Sequence, residues 1–80
     1  MEEILEQIYE ILEEIIPGEN YRESESLVDD NVLDSFAILS LVTELEDAFD
    51  IVVSPAELIP EHFNSAEALA QMVERIRAGE

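Results

Sequence analysis

The apolar residues of this chain recur at the spacing of a helix and almost nowhere at the spacing of a strand. After Met1-Glu2-Glu3 they fall at Ile4, Leu5, Ile8, Ile11, Leu12, Ile15 and Ile16. Steps of three and four gather these side chains on one stripe of an amphipathic helix. Pro17-Gly18 stops that helix. Glu2, Glu3 and Glu6 lie near its start, where the helix dipole favours negative charge.

A second helix is predicted from Asp34-Ser35 to about Phe49, with either Asp34 or Ser35 as its cap. Its inward face is read as Leu39, Val42, Leu45, Ala48 and Phe49, flanked by Phe36 and Ile38. The connection between, residues 17 to 34, is long for a compact domain, and loops of that length are commonly functional or disordered. Leu27, Val28, Val32 and Leu33 suggest that it is pinned to the core, and Asn31 suits a left-handed turn.

Ser54-Pro55-Ala56-Glu57 has the form of a capping box with proline at the first helical position, so a short helix is expected there. Pro60 should interrupt or end it. Asn64-Ser65-Ala66-Glu67 offers another cap, and Leu69, Met72, Val73 and Ile76 carry a last helix to about Arg77. Arg75 and Arg77 in its final turn complement the dipole. The alternation around Ile51 and Val53 is too brief for a strand. The expected fold is all-α, one domain over residues 1–80 built from three main helices plus one short helix.

Charge then narrows the partners. Three arginines face 21 acidic residues, there is no lysine, and the formal net charge is -18. Nucleic-acid binding needs cations against phosphates, so DNA and RNA are excluded as partners. An anionic membrane surface would repel the chain for the same reason. Basic patches on partner proteins would instead be drawn to it, faster at low salt. The apolar fraction of 48% is that of a folded protein. No apolar run is long enough to span a membrane and the acidic N-terminus is unlike a signal peptide, so a cytoplasmic monomer is expected.

Little in the chain suits catalysis. Cysteine and lysine are absent and His62 is the single histidine, which reads as a surface or capping residue rather than a base. A core this small also leaves little room for a pocket that excludes water. Asp29, Asp30, Asn31 and Asp34 cluster in the loop, but a calcium loop of the EF-hand type needs oxygen ligands at its first, third and fifth positions. Starting at Asp29 puts Leu33 at the fifth, and starting at Asp30 puts Val32 at the third. No specific metal site is expected. Ser35 differs in its position, at a helix start after a long loop. A phosphate ester there would face free backbone N–H groups and the positive end of the dipole.

Asp34-Ser35-Phe36, followed by Leu39, Leu41, Val42, Leu45-Glu46 and Phe49-Asp50, resembles the second helix of the acyl carrier protein family. The resemblance extends to the order of helices and so covers nearly the whole chain. It implies a carrier, not an enzyme. In that family a phosphopantetheinyl transferase places 4′-phosphopantetheine from coenzyme A on the serine, here Ser35. Acyl or aminoacyl groups then ride as thioesters on the arm's thiol, which would give a cysteine-free chain its reactive sulfur. Acyl- or aminoacyl-activating ligases and acyl-transferring enzymes dock through basic patches. The resemblance implies a docking face around Ser35 that includes Asp34, Glu44 and Asp47.

The branch is harder to read. Leu33-Asp34-Ser35-Phe36 departs from the pattern of fatty-acid carriers, and Ala37 and Ser40 stand where those often have acidic residues. Leu-Asp-Ser-Phe, with Phe49-Asp50-Ile51 and Phe63-Asn64-Ser65, is similar to the D-alanyl carrier proteins of teichoic acid modification. The same local pattern also suits a stand-alone carrier of a specialised acyl or peptide pathway. The rival from another class is an unmodified acidic helical interaction module, which predicts the same fold and charge but no arm on Ser35.

Overall fold

The computed structural model describes residues 2–23 and 25–79. Among the described residues four helices follow in chain order: α1 over Glu2–Ile15, α2 over Ser35–Phe49, α3 over Pro60–Phe63 and α4 over Ala66–Arg77. A single 3-10 turn, Pro55–Glu57, precedes α3. The architecture is all-helical, with three long helices as the periodicity requires. Among the described residues no strand forms, and residues 51–53 run as irregular chain.

α1 buries the stripe that its spacing marks. Ile4, Ile8, Ile11 and Leu12 enter the core, while Leu5 and Ile15 are half-buried at its edge. The helix closes with the Ile16 N–H donating to the Leu12 carbonyl at 2.8 Å. Gly18 then turns the chain with φ +93, a conformation that side chains with a Cβ resist. α1 and α4 pack together, with Glu3 and Ile4 beside Glu74 and Arg77. α2 lies across α1, its N-terminal turn against Ile15 and Ile16.

The inward face of α2 differs from the expected one. Ala37, Leu41, Leu45 and Phe49 are buried, spaced four residues apart. Leu39 and Ala48 are exposed instead and Val42 is half-buried. The cause lies in the helix itself. Apolar residues point in most directions around it, so spacing alone leaves several stripes open, and packing against α1 selects the i+4 row.

The loop between α1 and α2 is pinned as its apolar residues suggest. Leu27 is fully buried and Leu33 nearly so, with Val28 and Val32 half-buried. Asn31 does take the left-handed conformation, φ 61. Tyr21 is a further anchor that the apolar spacing does not mark. Its ring is buried and its hydroxyl donates to the Ile16 carbonyl at 2.6 Å, beyond the last turn of α1. Burial, reinforced by Glu13 and Glu19, pushes the phenol up to about 12.

The segment after α2 also departs from expectation. Ser54 caps nothing with its side chain, and Pro60 opens a helix rather than ending one. The Glu57 carboxylate, which would close a capping box, is engaged by α4. The Arg75 guanidinium donates to both of its oxygens, at 3.1 Å to Oε2 and closer to Oε1. Those hydrogen bonds, and then the arginine's charge, hold Glu57 below the usual carboxylate range. His62 joins the group, its Nδ1 lying 2.9 Å from the Glu57 carbonyl oxygen and 3.2 Å from Oε1. Pro60 fits the first helical position, where no N–H is needed.

Candidate functional site: the N-terminus of α2

The chain reaches α2 through two linked turns. The Leu33 N–H donates to the Leu27 carbonyl at 2.9 Å, closing the loop just before Asp34. Asp34 has extended backbone angles, φ -89 and ψ -179, and its Oδ1 accepts the Ala37 N–H at 2.8 Å. Asp34 is therefore the cap and Ser35 the first helical residue. Leucine before the cap and alanine two residues after the serine are both buried, so the backbone on either side of Ser35 is held by the core.

Ser35 itself is exposed, as is Asp34. Its hydroxyl stands at the positive end of a helix of 15 residues. The first backbone N–H groups of a helix have no partners within the helix, and a phosphodiester on that oxygen would lie beside them. Nothing in the core has to open for such a group to be accommodated. The residues present fit a phosphopantetheine arm.

The surface around this serine is mixed. Phe36 is 80% exposed and Leu39 61% exposed, so two large apolar side chains flank Ser35 within one turn. Apolar spacing places Leu39 on the inward face with Phe36 flanking it, and both stand in solvent instead. The signal for their true place is the polar set Ser40, Thr43 and Asp47, which shares their side of the helix at helical spacing. Glu44 and Asp47 are exposed farther along the same helix. Glu46 differs from them, because its carboxylate accepts the Val53 N–H at 2.9 Å and fixes the chain after α2.

Other chemistry-bearing residues lie elsewhere. His62 sits against Glu57 and not beside Ser35. Asp29 contacts the Asn64 side chain. Among the described residues no three His, Asp or Glu side chains are grouped to hold a metal ion. A groove lined by Glu6, Tyr9, Glu10, Glu13, Glu19 and Arg22 takes in no residue of α2, and Arg22 stacks over the Tyr9 ring at 4.3 Å. No helix is long and apolar enough to cross a membrane among the described residues.

An exposed, capped serine at a helix start is compatible with several roles, and comparison with known proteins separates them. The family described as "Phosphopantetheine attachment site" matches residues 3–73. A D-alanyl carrier protein of Lactococcus lactis subsp. cremoris (strain MG1363) is 38% identical over 71 residues, covering 86% of this chain and 90% of the relative. A D-alanyl carrier protein of Bacillus cereus (strain B4264) is 32% identical over 79 residues, covering 96% of this chain and all of the relative. Proteins of this family are in general carriers and not catalysts. With the match running from the first turn of α1 to the buried Val73 of α4, this chain belongs to the phosphopantetheine attachment-site family and is a carrier domain.

Proposed function

We propose that residues 1–80 act as one carrier domain whose arm is attached to Ser35, and that its cargo is D-alanine. The observation that carries the attachment is the exposed serine at the first position of α2, with Asp34 as its cap. A phosphopantetheinyl transferase is the enzyme that would esterify this hydroxyl. The arm supplies a terminal thiol, on which the aminoacyl group is held as a thioester.

The chain's own residues do the rest. Asp34 keeps the helix start rigid, so the ester lies at a fixed place on the surface. The α2 N-terminus favours the phosphodiester's negative charge. Phe36 and Leu39 offer apolar contact area to a visiting enzyme, while Asp34, Glu44 and Asp47 give complementarity to a basic rim.

D-alanine as cargo is supported by the named relatives, which are D-alanyl carrier proteins aligned over most of both chains. The Leu33-Asp34-Ser35-Phe36 sequence and the absence of acidic residues at Ala37 and Ser40 point away from fatty-acid carriers. A cytoplasmic, monomeric protein serving an aminoacyl-activating ligase follows from this reading.

The test is loading. The arm-bearing protein is incubated with ATP, a D-alanine-activating ligase and D-alanine, and in parallel with an acyl-activating ligase and fatty acid. A D-alanyl mass increment that hydroxylamine removes supports the reading. Efficient fatty acylation with no D-alanyl increment would replace the cargo while keeping the carrier.

A further inference from the structure

Asn64 lies between α3 and α4 and holds the loop that leads to Ser35. Its backbone carbonyl accepts the Leu27 N–H at 2.9 Å. Its side-chain Oδ1 accepts two consecutive backbone N–H groups, Val28 at 2.9 Å and Asp29 at 3.2 Å. Its Nδ2 makes a longer contact, 3.4 Å, with Asp29 Oδ2. One residue thus engages three successive loop residues 35 to 37 positions away.

Asn64 can bear on the loop because it is itself held. Phe63 before it is buried, and Ser65 after it caps α4 by accepting the Ala68 N–H at 3.0 Å. The loop that it grips is a compact turn. Asp30 donates to the Ser26 carbonyl at 2.7 Å and Asn31 to the Val28 carbonyl at 3.1 Å. Leu27 passes the restraint on, since its carbonyl accepts the Leu33 N–H, and Asp34 follows Leu33 directly.

We propose that Asn64 is a positioning residue for Ser35, setting where the serine stands relative to α3 and α4 as a partner enzyme docks. The inference rests on the reading of Ser35 as the attachment residue. Its physical basis is the side-chain grip on Val28 and Asp29, next in the chain to Leu27, whose carbonyl accepts the Leu33 N–H directly before the Asp34 cap. Without the amide, two loop N–H groups lose their acceptor and the loop samples a wider range of positions. Encounters with a transferase that reads both α2 and the loop would then be productive less often.

The test compares wild-type protein, Asn64→Ala, Asn64→Asp, and Asn64→Asp combined with Asp29→Asn, the last exchanging donor and acceptor. Amide exchange is measured at Leu27, Val28, Asp29, Leu33 and Ala37. KM and kcat for phosphopantetheine transfer from coenzyme A are measured well below the melting temperature. Asn64→Ala should speed exchange at Val28 and Asp29 by about tenfold, with smaller increases at Leu33 and Ala37. Its KM for the carrier should rise about tenfold with kcat little changed. The double exchange should restore both readouts.

A lowered melting temperature with unchanged KM would overturn the proposal, leaving Asn64 a purely structural residue. Faster exchange at Val28 and Asp29 that stops short of Leu33 and Ala37 would also overturn it. Should wild-type protein accept no arm at all, the reading of Ser35 fails, and the exchange pattern still decides whether the restraint is passed on.

Discussion

The Asp34 carboxylate accepts the Ala37 N–H at 2.8 Å, and this bond makes Ser35 the first residue of α2 rather than part of the loop. Replacing the cap by alanine should cost about 1 kcal/mol of stability. Asp34→Ser, which keeps an acceptor, should cost less. Urea unfolding measures both. Arm attachment to Asp34→Ala should be slower even where the protein remains folded, because the serine is then on a fraying end.

Burial on α2 separates residues that look alike in sequence. Leu41 is fully buried and Phe36 is 80% exposed. Leu41→Ala should lose about 2–5 kcal/mol to the cavity that it leaves. Phe36→Ala should change stability by no more than about 0.5 kcal/mol. Its effect should be on docking, seen as a raised KM for the transferase. Equal destabilisation by the two substitutions would contradict the orientation of the helix.

Tyr21 ties the loop to the end of α1, and its phenol is pushed up to about 12 by burial and then by Glu13 and Glu19. The folded value lies above the unfolded value of 10.0. The contribution is therefore complete below pH 10 and declines as pH rises from there toward 12. Melting temperature should fall across that window, and Tyr21→Phe should flatten the fall. Absorbance titration should find a phenol that ionises near 12, absent from the variant.

Self-repulsion should limit stability at low salt, since a net charge of -18 is held in a chain whose radius of gyration is 11.3 Å. Screening at about 0.1 M salt acts over roughly 10 Å, comparable with the size of the protein. Sodium chloride should raise the melting temperature, and divalent cations should do so at lower concentration. A melting curve that moves with neither would show that repulsion is not limiting.

Helix order was readable because each long helix has its own local marks. The stripe of α1, Pro17-Gly18 after it, and Ser65 before α4 all act within a few residues, and each stands where its local chemistry puts it. The face of α2 was harder to read, because Phe36 and Leu39 share the side of Ser40, Thr43 and Asp47, while Leu41 and Leu45 oppose them. The division between them is set by α1 and the loop, which are distant in sequence. Ser54-Pro55-Ala56-Glu57 misleads for a similar reason: Glu57 finds a stronger partner in Arg75, 18 residues on. Ser35 stood out in sequence by its neighbours, but the three side-chain contacts of Asn64 to the loop span some 35 residues and leave no local pattern.

The intact mass of the protein after incubation with coenzyme A, magnesium and a promiscuous phosphopantetheinyl transferase tests the central claim most directly. Wild-type protein should gain the mass of one phosphopantetheine, peptide mapping should locate it on Ser35, and Ser35→Ala should gain nothing. An unchanged wild-type mass with a transferase that modifies a control carrier, or an equal gain by Ser35→Ala, would contradict the account.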